Sequence, residues 1–231
     1  MNQIAVIIPA RGGSKGIPQK NLVEINGKPL IDYTIEFAKL LNLKVFVSSD
    51  DENIIERSKI HEIDFIKRPE SLATDSSRII DTLLHASNMI NFKEKKFNSL
   101  LVLQPTYLIR SLTDIKNAIK MFEAPNIESI VALTKMREHP SECIELNKST
   151  KHWSYLSPGP KGATNRQEYR DDFYFISGNF YLATIDSLFK YKTYMHDKTD
   201  FYITNERYPV DIDNLDDLEF AKTQIHRYQS E

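Results

Sequence analysis

One cysteine, one tryptophan and seven glycines in 231 residues leave several protein classes without their material. Cys143 alone cannot close an intramolecular disulfide and has no second thiol with which to share a metal, so a disulfide scaffold is excluded. No apolar stretch approaches the length that spans a bilayer. The opening run from Met1 to Ala10 lacks the basic start and small-residue cleavage site of a secretion signal. An excess of one charge is missing too. Thirty Lys and Arg face 32 Asp and Glu, a formal net charge of −2, which argues against a chain held to nucleic acid by bulk positive charge. There are no repeats and no low-complexity linkers. These absences predict a cytoplasmic chain with no nucleic-acid partner and no membrane insertion. Its length suits one large domain, or one domain with a smaller appendage, and its hydrophobic share is enough for a full core.

What is present is an alternation. Ile4–Ile8 is an Ile/Val-rich run that reads as a fully buried strand. After the turn signal Asn26-Gly27-Lys28-Pro29, the residues Leu30, Ile31, Thr34, Ile35, Ala38 and Leu41 recur at helical spacing. Val45–Val47 predicts a second strand, and Ser49 with Glu52 reads as a capping box opening a helix. Phe65-Ile66 predicts a third strand, followed by a helix on Ile79, Ile80, Leu83, Leu84, Ser87 and Ile90. Leu100–Leu103 is a fourth strand. Ser111 and Asp114 offer another capping box before Ile115, Ile119 and Phe122, and Ile130–Leu133 closes the series. Residues Pro140 to Asp172 break the rhythm and read as an inserted arm or β-extension. Phe173–Leu182 and Val210–Asp213 read as later strands before a C-terminal helix on Leu215, Leu218, Ala221 and Ile225. Repeated βα units imply an α/β fold, a mostly parallel sheet with helices on both faces. Ligands of such sheets sit beyond the carboxyl ends of the strands, which singles out the loops after Ile8, Val47, Leu103 and Leu133.

The first of those loops concentrates chemistry. Within Pro9-Ala10-Arg11-Gly12-Gly13-Ser14-Lys15-Gly16-Ile17-Pro18-Gln19-Lys20-Asn21, three glycines let the backbone turn tightly beside a ligand. Arg11, Lys15 and Lys20 surround it with positive charge. Backbone N–H groups with fixed cations are what a polyphosphate needs. The loop lacks the Gly-Lys-Ser/Thr ending of a P-loop and the glycine spacing of a dinucleotide fingerprint. At the other end of the chain, Asp211-Ile212-Asp213 places two carboxylates on one side of an extended segment, a donor pair for a hard divalent cation.

The stretch IIPARGGSKGIPQKN resembles the N-terminal signature of the N-acylneuraminate cytidylyltransferases, the CMP-sialic acid synthetases. FVSSDDENI, RPESLATD, LLVLQPTYLIR, NRQ, SGNFYLA and VDIDNLDDLEFAK are similar to later motifs of that family, in the same order. The resemblance implies a nucleotidyltransferase domain over residues 1–231 with a dimerisation arm at about 140–172. It implies a homodimer that joins CMP from CTP to an acidic nine-carbon sugar, a nonulosonic acid, with Mg²⁺ or Mn²⁺ as cofactor. By that likeness Arg11, Gly12, Gly13, Ser14, Lys15, Lys20, Asn21 and Arg68 bind CTP. Gln104, Arg110, Arg166 and Tyr181 bind the sugar, and Asp211 and Asp213 hold the metal. Lys20, Arg11 and Asp211 are the expected catalytic set. Tyr107-Leu108-Ile109, Phe175 and Ser177-Gly178-Asn179 depart from the family pattern in segments similar to its sugar-facing wall, which predicts an altered wall and a modified sugar. A Kdo-type or other sugar cytidylyltransferase, and a non-catalytic nucleotide-binding protein on the same fold, are the alternatives.

Overall fold

The structure is a computed structural model that describes residues 3–92, 96–157, 172–205 and 209–228. Strand β1 (Ile4–Pro9) leads through a one-turn 3-10 helix at Lys20–Leu22 to a small hairpin, β2 (Glu24–Ile25) and β3 (Lys28–Pro29). Asn26 and Gly27 take positive φ at 54° and 76° in the turn between them, the pairing a two-residue hairpin demands. Helix α1 (Leu30–Lys39), β4 (Lys44–Ser49), α2 (Glu52–Ile60), β5 (Asp64–Lys67), α3 (Ile79–Ile90), β6 (Ser99–Val102), α4 (Leu112–Met121) and β7 (Ser129–Lys135) continue the alternation. A second hairpin follows, β8 (Ile144–Leu146) with β9 (Trp153–Tyr155), then β10 (Tyr174–Thr184), α5 (Ile185–Tyr191), β11 (Thr199–Ile203) and α6 (Leu215–Tyr228).

The main sheet runs β11-β7-β10-β6-β1-β4-β5. β1 pairs in parallel with both β4 and β6, and β4 with β5. β10 is inserted antiparallel between β6 and β7, and β11 lies parallel on the outer side of β7. Period-two alternation explains why β1 is apolar throughout. Ile4, Val6 and Ile8 enter a cluster with Ile31 and Ile35 of α1, Ile54 of α2 and Ile115 of α4. Ala5 and Ile7 enter the opposite cluster with Ile80, Leu83 and Leu84 of α3 and Leu188 of α5. A strand buried on both faces has no polar positions to offer. Every apolar position read for α1 is buried, and the helix-on-both-faces architecture is the one the alternation predicts.

Three local readings are corrected. Helix α2 is capped by Asp51, whose carboxylate accepts from the N–H groups of Asn53 and Ile54, and not by Ser49. Val210–Asp213 forms no strand but a single antiparallel bridge between Asp211 and Tyr107. Leu215 is exposed rather than part of the buried face of α6. The strand β11 and helix α5 were not among the elements read from the sequence.

Candidate active site

The order of strands dictates where a ligand fits. From β1 the chain moves outward through β4 to β5 and then returns to β6 on the other side of β1, so the carboxyl ends of β1 and β6 border a topological switch point. A cleft of about 310 Å³ opens there. Its walls are Arg11, Gly13, Ser14, Lys20 and Asn21 from the loop after β1, residues from Arg68 to Thr82 after β5, and Gln104 to Thr106 after β6, with Asp213 at the rim. The loops after Ile8 and Leu103 are therefore where the alternation put them. The loop after β4 supports the cleft from behind, and the loop after β7 lines a separate cavity of about 510 Å³ with Lys135, Arg137, Phe175 and Phe220.

Each cation of the glycine-rich loop already faces a carboxylate. Arg11 and Lys15 both pair with Asp75, at 2.9 and 3.0 Å. Lys20 donates to the Ile212 carbonyl at 2.8 Å and to Asp213 at 3.0 Å, and its side chain is 14% exposed. Asn21 clasps the loop by donating to the Arg11 carbonyl at 2.9 Å. A side chain at Gly16 would collide with the Asp213 carbonyl, so glycine lets the loop lie directly on the segment that carries the acids. Gly12 turns away from the cleft. Its N–H donates to Asp50, and a Cβ there would stand 2.6 Å from an Asp51 oxygen. Its amide, read from sequence as a phosphate donor, instead fastens the loop to the turn after β4.

Arg68 is 6% exposed and lines the cleft. Its hydrogen bonds go to the hydroxyl and carbonyl of Ser48 and not to a carboxylate. Burial strips its hydration and lowers its pKa to about 10, with Arg11 nearby acting in the same direction and Asp50 opposing. A guanidinium still charged at neutral pH at a cleft wall suits an electron-rich ligand edge.

The acid segment is held by the bridge to the loop after β6. Leu108 donates its N–H to the Val210 carbonyl and Ile212 donates to Thr106. Ile212 is buried while Asp211 and Asp213 on either side are exposed, so the two carboxylates do share a side. Although Asp211 is exposed as a residue, its carboxylate stands against Gly178 and loses hydration there, which raises its pKa, and the like charge of Asp213 adds to this; the Thr106 hydroxyl, Lys20 and Arg110 act against it. Among the described residues no three His, Cys, Asp or Glu side chains gather as a closed metal cage. Two hard oxygen donors beside a cleft lined by cations nevertheless fit a divalent cation that takes its remaining ligands from a bound anion and water.

On the other side of Asp211, Gly178 has φ of 76°, and a Cβ there would stand 3.2 Å from an Asp211 oxygen and 3.9 Å from the Gln104 side chain. Gln104, Gly178 and Asp211 thus converge. Tyr181 joins them: burial raises its pKa, the charge of Asp211 raises it further, and its ring stacks on Tyr194 at 4.4 Å. Arg110 does not line the cleft. It donates to the carbonyls of Asn179 and Gln104 and to the Thr34 hydroxyl, so it braces the backbone behind Gln104 and Gly178, and its charge also acts on Asp211. The altered wall expected from Tyr107, Leu108 and Ile109 is also corrected. All three are buried, and Leu108 and Ile109 pack with Ile17, Ile212 and Leu218 beneath α6. Phe175 lines the other cavity. Arg166 lies outside the described residues. Sequence reading gave no role to Asp75, although it closes the RPESLATD stretch, nor to Thr106, two residues past Gln104.

Comparison with known proteins decides the family. Residues 5–176 match the family model described as Cytidylyltransferase. The chain belongs to the cytidylyltransferase family. This cytidylyltransferase is 30% identical to the N-acylneuraminate cytidylyltransferase of Escherichia coli O18:K1:H7 over 96% of its own length and 52% of that protein. It thus spans about half the length of the N-acylneuraminate relatives it matches. It is 28% identical to the pseudaminic acid cytidylyltransferase of Campylobacter jejuni serotype O:2, across 94% of this chain and 93% of the relative. In fold it matches the structure of CMP:2-keto-3-deoxy-manno-octonic acid synthetase complexed with CTP, with a TM-score of 0.72 at 17% identity, covering 98% of this chain and 100% of that one.

Proposed function

We propose that this cytidylyltransferase transfers CMP from CTP to the anomeric hydroxyl of a nonulosonic acid, releasing pyrophosphate. One observation carries the reading: a three-cation glycine-rich loop at the switch-point cleft lies directly against a paired-carboxylate segment, with Gln104, Gly178 and Tyr181 converging beside that pair. The relatives named for N-acylneuraminate and pseudaminic acid support the acceptor class.

In this mechanism the triphosphate enters along the loop, where Arg11, Lys15 and Lys20 exchange their carboxylate partners for phosphate oxygens. Gly13 and Ser14 line the approach, and Asn21 keeps the loop closed on itself. Arg68 faces the base. The acceptor hydroxyl oxygen attacks the α-phosphorus, the bond from that phosphorus to the β-phosphate oxygen breaks, and the hydroxyl proton goes to solvent. Negative charge builds on the departing pyrophosphate, and Lys20, held in place by the Ile212 carbonyl, is the positioned cation that stabilises it. Asp211 and Asp213 would hold Mg²⁺ or Mn²⁺, which supplies neutralisation of phosphate charge and acidifies a bound hydroxyl. Gln104 and Tyr181 orient the sugar acid, and Arg110 keeps Gln104 and Asn179 in register. We assign the reaction to the cytoplasm, where free CTP is available. No helix among the described residues is long and apolar enough to cross a membrane. The protein works as a homodimer, for which the exposed apolar hairpin β8–β9 is the support.

The test is pyrophosphate release from CTP and Mg²⁺ with N-acetylneuraminate, legionaminate and pseudaminate offered in parallel. Turnover with at least one acid is expected, and Lys20→Ala lowers it by roughly a hundredfold or more. No release with any of the three acids, or undiminished turnover in Lys20→Ala, refutes the reading.

A further inference from the structure

Lys20 is fastened by two oxygens of different standing. The Asp213 carboxylate at 3.0 Å is 77% exposed, whereas the Ile212 carbonyl at 2.8 Å belongs to a fully buried residue. Once Asp213 gives way to phosphate or turns to a cation, that carbonyl is what keeps Lys20 aimed at the cleft. The carbonyl shares its peptide group with the Asp213 N–H, which donates to the Asp217 carboxylate at 2.9 Å. Asp217 also accepts from the Asn214 N–H at 3.0 Å, and its own N–H donates to the Asn214 side chain at 3.0 Å, a reciprocal cap on the start of α6. Both N–H groups go to Asp217 and not to the exposed Asp216 beside it in the same helical turn. A peptide group is planar and trans, so its N–H and C=O point in opposite directions. Pinning the N–H end fixes where the C=O end points. A carboxylate at the N–H end also polarises the group, which makes the carbonyl a better acceptor for an ammonium.

We propose that Asp217 is a positioning residue for Lys20, acting through the peptide between Ile212 and Asp213 that the two side chains grip from opposite ends. The inference rests on the reading of Lys20 as the cation that meets the departing pyrophosphate. One hydrogen-bonded chain runs from Lys20 Nζ to the Ile212 carbonyl, across a single peptide, and from the Asp213 N–H to Asp217. Its far end is anchored by packing, since Leu218, Ala221 and Ile225 of α6 are buried in one cluster with Ile17 of the glycine-rich loop. The aim of Lys20 is thereby tied to a packed helix and not to the exposed rim. Without Asp217 the peptide is free to turn about its flanking bonds, and Lys20 loses its direction while keeping its charge. A charge still present goes on attracting the triphosphate. A charge no longer aimed stabilises the transition state less, so the loss falls on kcat and not on KM for CTP.

The experiment measures kcat, KM for CTP and the urea midpoint of the whole chain as wild type, Asp217→Ala, Asp217→Asn and Asn214→Ala, each also combined with Lys20→Ala. MgCl₂ and the acid that the wild type turns over are kept saturating. Asp217→Ala and Asn214→Ala each break one half of the cap and are expected to lower the midpoint alike. Only Asp217→Ala lowers kcat, by roughly tenfold, with KM for CTP within about twofold of the wild type. Asp217→Asn keeps a neutral acceptor for both N–H groups and retains more of kcat than Asp217→Ala does. On the Lys20→Ala background the Asp217 substitutions cost no further activity, the signature of a residue that acts through Lys20. Wild-type kcat in Asp217→Ala overturns the proposal. So does an equal loss of kcat in Asn214→Ala, which would make the cap merely structural, or an undiminished loss on the Lys20→Ala background. If Asp217→Ala does not fold, Asp217→Asn carries the same comparison. Absence of turnover in the wild type, or full turnover in Lys20→Ala, strikes the functional reading instead and is visible before any Asp217 variant is made.

Discussion

At the scale of single residues, burial rather than sequence context decides what a polar group does. Tyr194 is the clearest case. Its hydroxyl is buried without a hydrogen-bond partner among the described residues, under the ring of Tyr181. Burial raises its pKa well above the ordinary phenol value of 10.0, and proximity to Tyr181 adds to this. The folded chain keeps that proton to higher pH than the unfolded chain. The stability tied to neutral Tyr194 is therefore fully present below about pH 10 and is lost as pH rises through the unfolded value toward the folded one. Tyr194→Phe removes both the phenol and an unsatisfied oxygen. Its urea midpoint at pH 8 is expected to equal or exceed that of the wild type, and its decline between pH 8 and pH 10.5 to be shallower. A loss of more than about 1 kcal/mol at pH 8 would show that the hydroxyl has a partner. The charges of the glycine-rich loop were legible from the residues alone, and what lifted them above an ordinary solvated turn was their place directly after the first buried strand, at the edge where ligands of such sheets sit. Their partners were not legible. Asp75 is 64 positions from Arg11, and no local pattern links them.

At the scale of elements, the helix and strand periods were read where an element is long and buried, and misread at its ends. Ser49 looked like a cap because a Glu follows three residues on. In the structure Ser49 is still in β4, paired with Lys67 of β5, and its hydroxyl accepts from the Asp51 N–H at 3.1 Å. Glu52 pairs outward with Lys67 instead of closing a box. The strand ladder therefore moves the cap to Asp51, the residue whose carboxylate reaches two free N–H groups of α2. Asp51→Ala is expected to destabilise the protein by about 1 kcal/mol, against a smaller effect of Ser49→Ala, measured by urea denaturation. The reverse ranking would restore the Ser49 cap. Ser111 does cap α4, through the Asp114 N–H, as its pattern implied. Asp114 does not reach back in return, for it is occupied by Tyr202 and Asn205 of a distant segment.

At the scale of the molecule, the hairpin β8–β9 stands out because its apolar side chains find no core. Ile144, Leu146, Trp153, Tyr155 and Leu156 are all exposed, Trp153 at 52%. A cluster of that kind on a folded chain marks an interaction surface, and a second copy is the occupant our functional reading assigns. Trp153→Asp is expected to shift sedimentation velocity from dimer toward monomer without lowering the thermal midpoint of the monomer by more than a few degrees. A wild type that sediments as a monomer at working concentration would remove the dimer from the account. The sequence by itself determined the alternation of strands and helices, the apolar faces, the clustering of cations in the glycine-rich loop and the spacing of the Asp211-Ile212-Asp213 pair, because each depends on residues within a few positions of one another. Only the tertiary structure decided that β10 enters the sheet antiparallel between β6 and β7, that Arg110 turns inward, and that the acids after β5 and before α6 close on the cations after β1. Those outcomes depend on which strands become neighbours, and that is settled by packing two apolar faces of one sheet at once, a constraint no local stretch of the chain contains.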